Sequence, residues 1–277
     1  MHEPRVILGG LAYVESARWH DGRLWFAHWG TDEIIAVDLE GHSEVVGHGP
    51  GGLGWSIDWL PDGRLLTTGE GLMRHEADGS VVPHADLAAF GSDWNEIVVD
   101  GRGNIYVNGG ISFEPGPPSG IIVLITPDGH ARQVADGLAF PNGMVVTPDN
   151  RTLIVAESMA ARLTAFDIGS DGGLSHRRPW AEGVGADGIC MDAQGAIWGG
   201  GEIMSTAFSR IGEGGKLTDT VQLDRSPFAC MLGGPDGRTL FILAAEWRGF
   251  EQIESALADR TGQVLVVDAP AAHAGWP

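Results

Sequence analysis

The segment NGMVVTPDNRTLIVAES, residues 142–158, contains two short apolar runs on either side of a turn built on Pro-Asp-Asn. Apolar runs of this length are typical of buried β-strands, and Asp and Asn are common in the tight turns that connect strands. The segment is therefore predicted to form a β-hairpin. It begins with Asn142, a bare amide at the start of an apolar strand.

The same pattern occurs six times along the chain. The other five copies are ESARWHDGRLWFAHWG (15–30), SIDWLPDGRLLTTGEG (56–71), NEIVVDGRGNIYVNGG (95–110), DGICMDAQGAIWGGG (187–201) and CMLGGPDGRTLFILAAE (230–246). Their turn aspartates are Asp21, Asp62, Asp100, Asp149, Asp192 and Asp236, so successive copies lie 38 (62 to 100) to 49 (100 to 149) residues apart. A strand repeat with a period near forty residues is the signature of a β-propeller with one blade per copy.

Each copy continues into a third apolar strand and a shorter fourth one. The chain is therefore predicted to be all-β, a single domain over residues 1–277 that forms a six-bladed β-propeller of four-stranded antiparallel blades. The sixth copy ends after GQVLVVDA (262–269) without a fourth strand, and the N-terminal RVIL (5–8) is predicted to close that last blade. Two packed β-sandwiches are the alternative, which would not explain one period running from end to end.

The composition narrows the possible partners. The 277 residues carry a net charge of −20, which excludes a basic surface for nucleic acid and disfavours binding to anionic membranes. No apolar run approaches the length of a membrane-spanning helix, so a cytoplasmic protein, monomer or dimer, is predicted. The two cysteines, Cys190 and Cys230, lie in apolar runs and are expected to be small core residues, with a disulfide as the less favoured alternative.

Polar residues recur just before the first strand of the repeats. They are Glu15, Ser56, Asn95, Asn142 and Asp187, with the Phe228–Cys230 region in the sixth copy. In a propeller these first strands line the central channel, so equivalent residues should ring the axis at one end. Two carboxylates buried there would repel each other, and no Lys or Arg occupies an equivalent position. Their oxygen atoms suit a hard divalent cation.

Four stretches carry a resemblance that covers essentially the whole chain. They are VESARWHDGRLWFAHW (14–29), WNEIVVDGRGNIYV (94–107), FPNGMVVTPD (140–149) and DGICMDAQGAIW (187–198). Together they resemble the regucalcin/gluconolactonase-like lactonase family of six-bladed propellers, of the senescence marker protein type. The resemblance implies that Glu15, Asn142 and Asp187 bind one divalent cation, and that Asn95 lies beside it and contacts either the substrate or the coordination sphere. It also implies hydrolysis of lactones, while related propellers cleave organophosphates or other esters.

The chain departs from that family at one position. Members that act on aldonolactones often carry Arg two residues before the site asparagine, whereas this chain has Asp93. An acidic residue cannot replace Arg as a donor, which disfavours a sugar-acid lactone. Trp94, beside Asn95, is predicted to contact the substrate, so the predicted substrate-binding positions are Asp93, Trp94 and Asn95.

Two insertions carry structural expectations. GGISFEPGPPSG (109–120), with Phe113 as its one large apolar residue, is either a surface connector or a lid over the channel mouth. WRGFEQIESALADRTG (247–262) is predicted to contain a short helix.

These observations favour a metal-dependent hydrolase that opens a small-molecule lactone or ester. Asp187 is the first candidate for general base and Glu15 the second, with Asn95 completing the catalytic set. Ca²⁺ is the favoured cation, and Mn²⁺, Mg²⁺, Zn²⁺ or Fe²⁺ are alternatives. The competing functions are a non-enzymatic calcium-binding propeller and an organophosphate or other ester hydrolase. A strictosidine-synthase-type propeller with condensation chemistry is disfavoured by the set Glu15, Asn95, Asn142 and Asp187.

Overall fold

The computed structural model describes residues 3–112, 116–200 and 205–277. They form six antiparallel sheets, and the innermost strand of each sheet contacts the innermost strands of the sheets before and after it in a closed cycle. This arrangement confirms the predicted all-β, six-bladed propeller. The innermost strands therefore surround a central axis, and their ends define its two openings.

The strands follow one another outward from the axis within each blade. The first strand, β1, is Arg5–Leu11. Blade 1 contains β2 Val14–His20, β3 Arg23–His28, β4 Glu33–Val37 and β5 Ser43–His48, and blade 2 contains β6 Ile57–Trp59, β7 Leu65–Thr67, β8 Leu72–His75 and β9 Val81–Ala85. Blade 3 contains β10 Ile97–Val99, β11 Ile105–Gly109, β12 Gly120–Ile125 and β13 Ala131–Leu138, and blade 4 contains β14 Pro141–Val146, β15 Thr152–Glu157, β16 Arg162–Ile168 and β17 Leu174–Glu182. Blade 5 contains β18 Cys190–Asp192, β19 Ile197–Gly200, β20 Ala207–Gly212 and β21 Lys216–Gln222, and blade 6 contains β22 Ser226–Gly233, β23 Thr239–Ala245 and β24 Gly262–Asp268.

The N-terminal strand closes the ring. Strand β1 pairs antiparallel with β24, so that blade 6 has the order β1-β24-β23-β22. Its register runs from Arg5 opposite Val266 to Leu11 opposite Gly262, with two bulges. The prediction that the RVIL segment completes the last blade is thus confirmed. The pairing covers an edge of β24 that would otherwise present unpaired backbone groups.

The C-terminal segment also connects blades to one another, which the sequence pattern did not indicate. Strand β25, His273–Ala274, pairs with the inner edge of β18 and makes blade 5 five-stranded. The next residues reach blade 4, where Trp276 and Val146 exchange two backbone hydrogen bonds of 2.8 and 2.9 Å. His273 also donates its backbone N–H to Gly237 of blade 6 at 2.9 Å. We call residues 271–277 the C-terminal clasp.

The hydrophobic core lies between adjacent blades. One large cluster joins blades 5, 6 and 1, and four others fill the spaces between the remaining neighbours. Cys190 and Cys230 belong to the first cluster as free, buried thiols whose Sγ atoms are 3.4 Å apart, as expected of small core residues. The core thus fixes each blade against the next, so the inner strand ends are held in place.

The repeated aspartates have a structural role in the turns between first and second strands. The Oδ1 atom of Asp62, for example, accepts the backbone N–H two residues further on, at 3.1 Å. The equivalent bond forms at Asp100, Asp149, Asp192 and Asp236. An Asp side chain that bonds its own backbone in this way favours a tight turn, which explains the repeat. These turns lie at the opposite end of the inner strands from the candidate site.

The insertion in blade 6 is helical, as predicted. A 3₁₀ turn, Phe250–Gln252, leads into helix α1, Ile253–Asp259, while Trp29–Thr31 and Ser158–Ala160 form two more 3₁₀ turns. Among the residues described, no helix has the length and apolar character needed to cross a membrane. Of the loop between β11 and β12, Phe113 and its two successors lie outside the described residues, so the proposed lid stays a prediction.

Candidate metal centre

The predicted residues lie where the inner strands of four blades begin at one opening of the channel, which we call the mouth. Glu15 is in β2 and Asn142 is in β14, while Asn95 and Asp187 come just before β10 and β18. The structure brings Asp187 and Asn142 into hydrogen-bond contact and places the Glu15 carboxylate close enough to interact with Asp187. Glu15 and Asn142 are buried, whereas Asn95 and Asp187 are half-buried.

A bulge in β2 directs Glu15 toward the axis. The pairing register between β2 and β3 shifts between Glu15 and Arg18, and Ser16 adopts a φ of +56° in the left-handed region. A bulge re-aims the side chains around it, at some cost in backbone strain. The Ser16 hydroxyl anchors this one by accepting the backbone N–H of Ile57, in blade 2, at 2.8 Å. The Ser16 N–H itself lies 3.2 Å from Glu15 Oε2.

A second bulge, in β14, presents Asn142. The register shifts between Pro141 and Met144, and the backbone N–H of Gly143 donates to the Asp187 carbonyl at 3.1 Å. A Cβ atom on Gly143 would lie 2.6 Å from the backbone nitrogen of Ile189 and 2.7 Å from that carbonyl oxygen. Gly143 is thus needed because blades 4 and 5 approach closely here.

The two carboxylates hold their protons more tightly than usual in the metal-free protein. Burial, followed by the charge of Glu96, raises the pKa of Asp187 to about 8, although its hydrogen bond with Asn142 opposes the shift. Burial, then the charges of Asp187 and Glu96, raises the pKa of Glu15 well above its ordinary value. A nearby positive charge would favour the ionised form of both.

The sequence pattern missed a buried ion pair beside these residues. Glu96, in blade 3, accepts hydrogen bonds from the Ser56 hydroxyl at 2.9 Å and from Nη2 of Arg18 at 3.3 Å. Arg18 follows Glu15 by three residues, so this cation lies beside the ring, although no Lys or Arg occupies a position equivalent to Glu15 in the repeats. Its Nη2 also donates to the Ile97 carbonyl at 2.7 Å. One guanidinium thus pairs with Glu96 and interacts with the charges of Glu15 and Asp58.

Asn108 links these groups across blades and was also missed. It is fully buried in β11 and its Nδ2 donates to the Asn142 carbonyl at 2.7 Å. Its Oδ1 accepts the Glu96 N–H at 3.2 Å, and its carbonyl accepts the Asn95 N–H at 2.9 Å. Because every polar group of this side chain is engaged, Asn108 fixes the blade-3 residues relative to Asn142. A buried Asn inside an apolar strand is the signal that could have revealed it.

One predicted substrate contact, Trp94, is enclosed in the core, and another, Asp93, is exposed. Trp94 has no exposed surface and packs in the core between blades 2 and 3, where Gly109 approaches its ring. Since a fully buried ring cannot touch a ligand without rearrangement, the expected contact with substrate does not fit this position. Asp93 is exposed and accepts a hydrogen bond from the Ser92 hydroxyl at 2.7 Å. Among the described residues, Tyr13, Phe228 and Trp247 are aromatic side chains that contact one another near the mouth.

The donor atoms fit a hard divalent cation. Within residues 3–112, 116–200 and 205–277, no three His, Cys, Asp or Glu side chains form a group able to hold a metal on their own. A cation at the mouth would therefore draw on the two carboxylates and on amide oxygens, with Asn142 already in contact with Asp187. Ca²⁺ accepts such mixed carboxylate and amide sets readily.

Fold and site together define a six-bladed propeller with an oxygen-rich centre at one mouth. Residues 13–246 match the family described as SMP-30/Gluconolactonase/LRE-like region, and the chain belongs to this family. This confirms the resemblance seen in the repeats and identifies the protein as gluconolactonase-like.

Curated relatives in the family are regucalcins. The chain is 28% identical to regucalcin of Xenopus laevis over 175 residues, which is 56% of each chain. It is 27% identical to regucalcin of Bos taurus over 181 residues, or 60% of this chain and 58% of the relative. The matches thus span less than two thirds of the length of these relatives.

Solved structures share the fold over nearly their whole length. A luciferin-regenerating enzyme has a TM-score of 0.80 at 17% identity, with 98% of both chains covered. A calcium-binding protein, regucalcin of Agrobacterium tumefaciens, has a TM-score of 0.78 at 19% identity, with 98% of this chain and 95% of that one covered. A gluconolactonase of Xanthomonas campestris has a TM-score of 0.74 at 18% identity, with 96% and 95% covered.

Proposed function

We propose that this protein is a divalent-metal-dependent hydrolase that opens a lactone or a related ester. The observation that carries the proposal is the pair of neighbouring carboxylates, the buried Glu15 and the half-buried Asp187, which repel each other and whose pKa values are both raised. The nearby guanidinium of Arg18 forms its ion pair with Glu96. A cation is the group that would relieve this repulsion, and membership of a gluconolactonase-like family supports the hydrolytic reaction.

The cation would be held by Glu15, Asn142 and Asp187, with Ca²⁺ favoured over Mn²⁺, Mg²⁺, Zn²⁺ or Fe²⁺. When bound there, a divalent cation would supply polarisation of the carbonyl that is to be attacked. Asn142 is suited to this role because it adds an oxygen without adding a third negative charge. The Asn95 side chain, half-buried at the same mouth, would orient the substrate by hydrogen bonding.

Asp187 is proposed as the general base that takes a proton from the attacking water. It is half-buried at the mouth, so part of its carboxylate can face both water and substrate. Glu15 is only 3% exposed and is less accessible, which favours Asp187 for this role. A base of this kind must come within hydrogen-bond distance of the water, about 3 Å.

The proposal is tested by removing and restoring the metal. The protein is treated with EDTA and assayed on γ-lactones, dihydrocoumarin, glucono-δ-lactone and paraoxon, with and without each candidate cation. We expect lactone hydrolysis to vanish in EDTA and to return with one or more cations. Full activity in the metal-free protein would overturn the proposal. Cation binding without turnover of any substrate would indicate a non-enzymatic calcium-binding propeller, and preference for paraoxon an organophosphate hydrolase.

Replacing Asn142 by alanine should weaken cation binding while leaving the base in place. We expect the Kd for the favoured cation to rise roughly 10- to 100-fold, and activity to recover in part at high metal concentration. Isothermal titration calorimetry measures the Kd. The control is Asn150→Gly, which removes an amide from the turn of the same hairpin at a residue whose φ is +55°. An unchanged Kd in Asn142→Ala would remove Asn142 from the ligand set.

A further inference from the structure

Three aromatic side chains meet at the mouth, on the side formed by blades 6 and 1. Tyr13 precedes β2, Phe228 lies in β22, and Trp247 follows β23. Their ring centroids are 5.0 Å apart for Tyr13 and Phe228, 5.9 Å for Tyr13 and Trp247, and 6.0 Å for Phe228 and Trp247. All three pairs are edge-to-face, the arrangement that aromatic pairs prefer. We call these residues the aromatic wall.

The aromatic wall adjoins the candidate metal centre. The Phe228 carbonyl accepts the backbone N–H of Gly188 at 2.6 Å, so Phe228 stands directly beside the residue that follows Asp187. Tyr13 lies two residues before Glu15, and burial, then the charges of Asp187 and Glu15, raise its pKa. These contacts place the wall and the carboxylates on the same opening of the channel.

Phe228 occupies in blade 6 the position that Asn142 and Asp187 occupy in blades 4 and 5. The equivalent positions around the axis are mostly polar in the other blades, whereas blade 6 contributes a phenyl side chain. Phe228 and Trp247 are half-buried, while Tyr13 is only 2% exposed and packs against both of them. Partly exposed aromatic rings beside a polar centre are suited to bind the apolar part of a ligand whose polar part is held by that centre.

Among the described residues, neither Asp93 nor Arg18 offers a free guanidinium to a ligand at this mouth. Asp93, in blade 3, is exposed and acidic. Arg18 is 6% exposed and is occupied by Glu96 and by two backbone carbonyls. A ligand rich in hydroxyl groups needs many donors and acceptors around it, because unpaired polar groups are costly when buried. The described residues at this mouth favour an apolar substituent.

We propose that Tyr13, Phe228 and Trp247 form the apolar side of the substrate site, and that the substrate is a lactone or ester carrying an alkyl or aryl group. This inference rests on the proposed hydrolase function and gives it a substrate class. The reacting ester group would lie at Glu15, Asn142 and Asp187, and the substituent would lie against Phe228 and Trp247.

The test is a series of γ-lactones with the same ring and an alkyl substituent that grows from methyl to heptyl. In the wild-type protein, kcat/KM is expected to rise roughly fourfold for each of the first added methylenes, as expected for burial of apolar surface. Glucono-δ-lactone should be a poorer substrate than the heptyl lactone by at least about 100-fold. The assay uses the metal-loaded protein.

Two variants assign the effect to the aromatic wall. Trp247→Leu and Phe228→Leu should each reduce the gain in kcat/KM with chain length relative to the wild-type protein. The matched control is Trp59→Leu, because Trp59 is also half-buried and belongs to another aromatic cluster, where it stacks on His20 at 4.0 Å. The control should keep the wild-type dependence on chain length. Trp247 follows a strand rather than lying in one, so its replacement is the safer of the two for folding.

The outcomes separate this inference from the function on which it rests. Metal-dependent hydrolysis with no dependence on chain length, or with preference for glucono-δ-lactone, would overturn the inference and leave the hydrolase standing. An equal loss in Trp59→Leu would also overturn it, since the effect would then be structural. If no lactone or ester is hydrolysed with any cation, both the inference and the proposed function fail.

Discussion

Replacing Asp187 by asparagine should reduce kcat for lactone hydrolysis roughly 10²- to 10⁴-fold at saturating metal, the usual contribution of a general base. The substitution keeps the size of the side chain and an oxygen atom for the cation. It removes the group that can accept a proton. Steady-state kinetics on the best lactone, together with the Kd for the cation, distinguish loss of the base from loss of the metal.

Glu15→Gln should be measured alongside Asp187→Asn, because Glu15 is the second candidate for the general base. Since Glu15 is buried more deeply, its replacement is expected to raise the Kd for the cation and to affect kcat less once metal is saturating. Asp149→Asn, in an exposed turn at the other end of the propeller, is the control and should behave as wild type. If Asp187→Asn kept its kcat while Glu15→Gln lost it, the base would be Glu15.

The metal-free protein should become less stable as the pH rises from about 7.5 to 8. The pKa of Asp187 is about 8 in the folded protein and 3.8 as an ordinary Asp, so in this range the folded chain holds a proton that the unfolded chain has released. The free energy of unfolding then falls with pH, by about 1.4 kcal/mol per pH unit for one such proton. This contribution is fully present below pH 4 and is lost as the pH passes 8.

The histidines contribute little to the pH dependence of stability in this window. Burial lowers the pKa values of His28, His75 and His273 from 6.5, so their contribution runs the other way and disappears as the pH falls below that value. From roughly pH 7.5, about one pH unit above that value, they are largely neutral in both states. Glu15, whose pKa is also raised, can only add to the expected slope.

Urea unfolding in EDTA and in excess cation, at several pH values, measures this effect. A cation that binds the ionised carboxylates should stabilise the folded protein, and more strongly at pH 8 than at pH 6.5. Asp187→Asn should flatten the slope of the metal-free protein, because it carries no titrating proton there. A metal-free wild-type protein whose stability rises over this window would contradict the assignment of a high pKa to Asp187.

The fold could be predicted because each blade repeats one local pattern. Apolar strands, Asp-based turns and a period near forty residues are all local features, and the missing fourth strand of the last copy pointed to β1. Strand β25 could not be predicted in this way. It is two residues long, and its pairing depends on the backbones of blades 4, 5 and 6, which are distant in sequence.

The candidate site was predicted in outline because its residues occupy equivalent positions in the repeats. Arg18, Glu96 and Asn108 were not assigned because what they contact depends on the packing of blades against one another. The placement of the Trp94 side chain could not be predicted for the same reason. Trp94 stands next to Asn95 in the chain, yet its ring turns into the core between two blades rather than toward the axis. Adjacency in sequence does not determine which side of a blade a residue faces at a strand end.

The C-terminal clasp has a consequence for how the molecule can come apart. In an open array of repeats, each unit contacts only its neighbours, and the terminal units can fray independently of the rest. Here β1 holds blade 6 from the outside, and residues 271–277 bind blades 4, 5 and 6 at the axis. No blade is therefore a terminal unit. Because the ring is closed, local opening of any one blade disturbs its contacts with the blades on both sides, so the six repeats are expected to lose their structure as one cooperative unit.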